Sequence, residues 1–333
     1  MIQLSVILPT RNRPVFLKRV LISLASQTVG QDFFEVIVVD NGPTSETAEV
    51  VNSFVDSIAN LRYLQEPAPG LHNARHRGMC EASAEFLVFA DDDIEAFPCW
   101  LEGVWQGFTR HNAALVGGRN LPRWEVEPPG WLKRLWSGDN EGERFLSYLS
   151  ILDFGDHEKE IDPFYVWGCN FSIRKKVLLE AGGFHPDSMP DQLLHLRGDG
   201  ESHVSRFIAA RGYGSVYVPS ASVFHFVPKS RMTVDYFRKR AFSQGVSDSY
   251  TRLRLNPSDN DKIVMDLRPL GRLMRSAIFR HILGSLLPAD AFVRANIDQA
   301  YHEGFMWHLH RFLTDGDVRS WVLKENYLEP LNQ

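Results

Sequence analysis

The chain reads as an α/β protein: a mixed, mainly parallel sheet flanked by helices, followed by a helical carboxyl-terminal extension. Three observations predict this. Short apolar runs alternate with stretches of helical periodicity from the first residues onward, polar residues cluster just after several of those runs, and strand signals stop after Phe226. With 333 residues, 44% hydrophobic and 23% charged, the chain is long enough for one large core plus a smaller appended unit. The boundary is placed between residues 1–228 and 229–333.

Leu4 to Leu8 is the first strand, and Pro9 with the polar Thr10-Arg11-Asn12-Arg13 ends it. Pro14 suits a first helical turn, with Leu17, Val20, Leu21 and Leu24 at helical spacing behind it. Val36 to Val39 is a second buried strand, closed by Asp40-Asn41-Gly42-Pro43, and Val51, Phe54, Val55 and Ile58 mark a second amphipathic helix. Arg62 to Leu64 reads as a short third strand and His72 to Ala82 as a helix rich in basic groups. Phe86 to Ala90 is the next strand, running directly into Asp91, Asp92 and Asp93. Strands alternating with helices imply parallel pairing with right-handed crossovers, so Thr10, Asp40 and the aspartates fall on one sheet edge, where such folds bind ligands.

Between Arg119 and Asp162 the pattern breaks, with several prolines and with Trp124, Trp131 and Trp136 set in polar sequence. The stretch reads as a long lid or substrate loop, or as a loop whose tryptophans pin it to the core. Sheet-like sequence resumes at Tyr165 to Ser172, then a helix start at Arg174, a Gly182-Gly183-Phe184 stop, Gly198-Asp199-Gly200-Glu201, and a helix carrying Val204, Phe207 and Ile208. Val216 to Val218 and Val223 to Phe226 are the last strands, and the chain from Lys229 onward reads as helical and Arg-rich. Within it, Leu267 to Leu287 has the pattern of a basic amphipathic helix that packs on the parent domain or lies on an anionic membrane surface.

Composition limits function further. A formal net charge of −5 provides no overall attraction for nucleic acid. Cys80, Cys99 and Cys169 are an odd, widely spaced set that fits a reducing compartment. The amino terminus lacks the pattern of a signal peptide and no run is apolar enough to span a bilayer, so the expected location is cytoplasmic or peripheral on the cytoplasmic membrane face. Adjacent carboxylates repel one another, so the aspartate triplet calls for a cation, and hard oxygen ligands suit Mg²⁺ or Mn²⁺.

Five ordered features carry a family resemblance across roughly residues 1 to 250. They are Ser5-Val6-Ile7-Leu8-Pro9-Thr10-Arg11-Asn12-Arg13, Val38-Val39-Asp40, Gly70-Leu71-His72-Asn73-Ala74-Arg75, Asp91-Asp92-Asp93, and Gly182-Gly183-Phe184 with Gly198-Asp199-Gly200-Glu201 behind it. Together they resemble the nucleotide-sugar-dependent glycosyltransferases of the GT-A fold, family 2, inverting type. The resemblance implies a nucleoside diphosphate sugar donor, UDP by family habit, and transfer of one sugar to a hydroxyl on a carbohydrate or lipid-linked acceptor. Asp40 and Arg75 would read the base, with Pro9, Thr10 and Arg11 beside it; Asp91 and Asp92 would serve the ribose or a metal-bound water. Asp93, Asp91 and His225 would hold the ion. Asp199 is the expected catalytic base although Gly198 replaces the family's usual first acid, and Glu201 is the reserve. Trp131, Trp167, Gly168 and Asn170 are assigned to the acceptor side. The Gln-x-x-Arg-Trp signature of processive synthases is absent. The rival readings are a sugar nucleotidyltransferase, which would want a glycine-rich phosphate loop after the first strand, and a non-catalytic sugar- or protein-binding descendant.

Overall fold

In a computed structural model, the structure describes residues 2–42, 46–137, 142–255 and 289–328, together with Gly271 and Met274. The proposed amphipathic helix at 267–287 therefore lies outside the described residues apart from those two. No helix among the described residues is long and apolar enough to cross a membrane.

The first half alternates strand and helix: β1 (Leu4–Thr10), α1 (Pro14–Ala25), β2 (Phe34–Asp40), α2 (Glu46–Asn52), β3 (Leu61–Gln65), α3 (Leu71–Glu81) and β4 (Phe86–Ala90). β1, β2 and β4 are buried at every residue, which is why they read as unbroken apolar runs rather than as alternating ones. α1 begins with Pro14 in its first turn, as expected. The helix expected to reach Ile58 ends at Asn52, and Phe54 to Ile58 continue as hydrogen-bonded turns that still bury Phe54 and Ile58.

The chain then passes through β5 (Ile94–Ala96), α4 (Trp100–His111), β6 (Leu115–Gly117), β7 (Asn120–Trp124), α5 (Gly130–Ser137), β8 (Arg144–Leu146), β9 (Ile151–Asp153) and β10 (Lys159–Glu160). It continues through β11 (Asn170–Arg174), α6 (Lys175–Glu180), α7 (Glu201–Arg211), β12 (Ser215–Tyr217) and β13 (Val223–Val227). The main sheet has eight strands in the order β10-β12-β6-β11-β4-β1-β2-β3, parallel across β4-β1-β2-β3 and interrupted by the antiparallel β11. A second sheet of five strands runs β5-β13-β7-β9-β8. This sheet corrects the sequence reading of residues 119–162 as an irregular loop: three of its strands come from that stretch, and Pro122 is tolerated inside β7 opposite His225.

The two sheets meet where the aspartates lie. β4 ends at Ala90 in the main sheet and β5 starts at Ile94 in the second, so Asp91–Asp93 form the crossover. Asn170 brackets that junction. Its side chain accepts from Trp100 Nε1 at 2.9 Å and donates to Asn120 Oδ1 at 3.1 Å and the Ala221 carbonyl at 2.9 Å. Apolar cores fill both faces of the main sheet, and a further cluster packs Leu132, Leu149, Ile151 and Val227 against Met232 and Phe237.

After Val227 the described residues are helical: α8 (Val234–Leu255), α9 (Ala289–Thr314) and α10 (Gly316–Leu323). α8 and α9 lie backbone to backbone at two glycines. A Cβ on Gly245 would strike the Tyr301 carbonyl oxygen, and one on Gly304 would strike that of Phe242.

Candidate active site

The carboxyl ends of β1 and β4, the start of α7 and one face of α8 enclose an open cavity of about 330 Å³. Its walls include Pro9, Thr10, Arg11 and Arg13 after β1, the three aspartates, Arg75, Gly168, Asp187, Glu201 and His225. Arg231, Tyr236 and Arg240 close it from the helical region.

Asp93 and His225 face each other because β5 and β13 pair with Ile94 opposite His225. His225 Nε2 lies 3.2 Å from Asp93 Oδ1, and its Nδ1 lies 2.8 Å from the Leu149 carbonyl oxygen. A carbonyl only accepts, so Nδ1 carries the proton and the other ring nitrogen points at the aspartate. Ligand atoms of Asp91, Asp93 and His225 all lie within 4.8 Å of one another. A divalent ion would take one ligand atom from each of the three residues. Two carboxylates and an imidazole oriented by its hydrogen bond to the Leu149 carbonyl form a donor set suited to a divalent cation such as Mn²⁺ or Mg²⁺. The residues therefore fit the ion that the sequence called for.

Charge around the triplet is tightly coupled. Arg13 pairs with Asp92 and, at 2.9 Å, with Asp93, while Arg231 reaches Asp93 at 3.0 Å. Burial would raise Asp93, but His225, Arg231 and Arg13 outweigh it and hold the carboxyl well below the usual range. Asp92 goes the other way. Its burial pushes it up to about 7 against the pull of Arg13, with Asp93 and Asp91 adding repulsion.

On the opposite wall stands Glu201, first residue of α7, where the helix amino terminus favours an anion. Gly168 N–H donates to its Oε1 at 3.2 Å and Arg75 reaches its Oε2 at 3.4 Å. Arg75 is buried, lies over the Phe184 ring at 5.2 Å, and also contacts Asp91 at 3.4 Å. It thus links the aspartate triplet to Glu201. Gly168 permits this approach, since a Cβ there would overlap the guanidinium.

Asp199 requires a correction. It does not line the cavity. His185 Nδ1 lies 2.7 Å from its Oδ1, while Thr251 and Arg206 donate to its Oδ2 at 2.8 and 3.0 Å. Burial opposes ionisation, yet His185 and Arg206 hold the carboxyl well below its ordinary value. Its side chain is 5% exposed against 23% for Glu201, so the reserve candidate is the one an acceptor can reach. Tyr250 of α8 packs where a Gly198 side chain would project, which explains the missing first acid.

Other assignments also move. Asp40 sits at the end of β2 beside the cavity, but Gly42 N–H and the Tyr63 hydroxyl occupy its oxygens at 2.9 and 3.0 Å, and Asn41 lines the wall instead. Arg75 is engaged by carboxylates rather than left free for a base. Asn170 is the sheet bracket described above, Trp131 packs on Phe237 at 5.1 Å, and Trp167 donates to the Phe164 carbonyl at 3.0 Å. None of these three lines the cavity, whereas Gly168 does.

Residues 5–182 match the family described as Glycosyl transferase family 2. The chain belongs to that family. It is similar to a glucosyl-dolichyl phosphate glucuronosyltransferase of Haloferax volcanii, 24% identical over 229 residues that cover 68% of this chain and 70% of the relative. A validoxylamine A glucosyltransferase of Streptomyces hygroscopicus subsp. limoneus is 39% identical over 201 residues, 55% of this chain and 44% of the relative. Among solved structures, the mannosyltransferase PcManGT from Pyrobaculum calidifontis, in complex with GDP-Man and Mn²⁺, is 18% identical with a TM-score of 0.59. That match covers 94% of this chain and 88% of the other, and it supports the GT-A fold.

This family 2 glycosyltransferase also brings to its cavity residues that sequence reasoning passed over: Arg13, Asp187, Arg231, Tyr236 and Arg240. Tyr236 and Arg240 carried one usable signal, since their spacing of four puts both on one helix face. Asp187 carried none, because only the turn after Phe184 brings it inward.

Proposed function

We propose that the protein transfers one sugar from a nucleoside diphosphate donor, UDP-linked by preference, to a hydroxyl of a carbohydrate or lipid-linked acceptor, with inversion at the anomeric carbon and a bound Mn²⁺ or Mg²⁺. The observation that carries this reading is the single cavity holding both the Asp91, Asp93 and His225 set and Glu201.

Thr10, Arg11 and Asn41 lie at the strand ends where α/β folds take a nucleotide. Asp91, Asp93 and His225 would hold the ion, which when bound neutralises charge on the departing diphosphate. Glu201 accepts the acceptor's hydroxyl proton as that oxygen bonds the anomeric carbon and the bond to the diphosphate breaks. Arg75 holds Glu201 in place from one side and the Gly168 N–H from the other. Asp187 is the weaker candidate for this base, since Arg197 pairs with it at 2.6 Å and Ser188 N–H donates to the same oxygen at 2.7 Å.

Thermal-shift and calorimetric titration of UDP and GDP, with and without Mn²⁺, followed by donor-hydrolysis assay, tests the proposal. Binding that depends on the ion and disappears in Asp93→Asn supports it. Nucleotide binding indifferent to divalent ions, or none at all, would reject it.

A further inference from the structure

The cavity has a second charged wall that the donor and its ion do not use. Three of its arginines are committed: Arg13 to Asp92 and Asp93, Arg231 to Asp93, and Arg75 to Asp91 and Glu201. Arg11 is solvent-exposed and follows Thr10 on the nucleotide side. Arg240 is different. It lines the cavity from α8, its Nε is buried, and among the described residues it has neither a hydrogen bond nor an ion pair. Asp187 and the Tyr148 hydroxyl lie in its field. Asp187 is shared rather than given to Arg240, because Arg197 and the Ser188 N–H already engage its Oδ1.

A part-exposed guanidinium that faces a cavity without a protein acceptor is free to take one from a ligand. Tyr236, one turn before Arg240 on the same helix face, and Tyr148 beside it both line the cavity. The Tyr148 ring is fixed against Phe237 at 5.8 Å. A planar fork of N–H donors with two phenol hydroxyls matches the oxygens of a phosphoryl group better than a neutral sugar.

We propose that Arg240, Tyr236 and Tyr148 form a phosphate subsite for the acceptor, so that the enzyme glycosylates a substrate carrying a phosphomonoester or phosphodiester. This rests on the donor reading above, because it assigns the remaining part of the same cavity. The ion, when bound, would supply counter-charge for the donor diphosphate, which leaves Arg240 for a second anion.

The full-length protein with saturating UDP and Mn²⁺ is titrated with methyl phosphate, dimethyl phosphate and acetate by calorimetry. Wild type and Lys239→Gln, an exposed charge change on the same helix, should bind one of the phosphate probes saturably and acetate at least 10-fold more weakly. Arg240→Gln should weaken phosphate binding at least 10-fold and Tyr236→Phe severalfold, with UDP affinity unchanged within 2-fold in both. Preference for the monoester points to a terminal phosphate, and preference for the diester to a sugar-phosphate linkage. The subsite is overturned by acetate binding as well as phosphate, by no saturable phosphate binding, or by Arg240→Gln weakening UDP as much as phosphate. UDP binding is measured first, so loss of the donor reading shows separately from loss of the subsite.

Discussion

Two carboxylates only two residues apart, Asp199 and Glu201, stand in opposite surroundings. Asp199 is enclosed by His185, Arg206 and Thr251, whereas Glu201 opens into the cavity beside Arg75. Glu201→Gln should therefore lower kcat about 10²- to 10⁴-fold with UDP affinity kept within about 2-fold, as steady-state kinetics and calorimetry would show. Asp199→Asn should instead cost roughly 2–3 kcal/mol of stability in urea unfolding, with kcat of the folded enzyme within about tenfold of wild type. Gly168→Ala is expected to displace the Arg75 guanidinium and reduce kcat more than it changes UDP affinity. Asp91 to Asp93 were legible in the sequence because three adjacent acids after an apolar strand have few explanations. The choice between Asp199 and Glu201 was not, because motif matching fixes position along the chain and not the direction a side chain faces.

At the scale of elements, α3 places His72 and His76 in a closed cluster with Phe184, His185 and Tyr327. Burial lowers His72 to about 4 and His76 to about 3, with neighbouring positive groups adding to the effect. Both stay neutral when folded, whereas an unfolded chain protonates them near pH 6.5. The unfolded state then binds more protons, so stability falls as pH drops below about 6.5 and the loss approaches about 3 kcal/mol for His72 by pH 4. Urea midpoints at pH 7.5, 6.0 and 5.0 should decline in that order; a flat series would contradict the burial of these rings. The α8–α9 contact depends on its glycines in the same direct way. Gly245→Ala should cost about 1–3 kcal/mol, seen as a lower urea midpoint, because the added methyl meets a backbone carbonyl. Strands of the parallel core were readable since burial on both faces leaves a continuous apolar run. The second sheet was not, because its strands from residues 119–162 are three to five residues long, carry polar residues and in β7 include Pro122.

Across the whole molecule, the helical region completes the site. Ser247 and Thr251 of α8 reach the Gly198–Asp199 turn, and Trp321 donates to the Leu196 carbonyl at 2.7 Å. Arg231, Tyr236 and Arg240 supply one wall of the cavity. The full chain should accordingly unfold in one cooperative transition by calorimetry, and a chain ending at residue 228 should lose near-UV ellipticity and UDP binding together. Two separate transitions would show that the helices are an independent unit.

The alternating α/β core, the change from strands to helices that follows Val227 among the described residues, and the acidic triplet at a strand exit could all be read from local sequence. These depend on local periodicity and on like charges that need a partner. Tertiary structure alone decided that His225 faces Asp93, that Glu201 and not Asp199 opens to the cavity, and that α8 adds Arg240 to it. Those relations depend on strand register and helix packing between residues far apart along the chain, which no local pattern encodes.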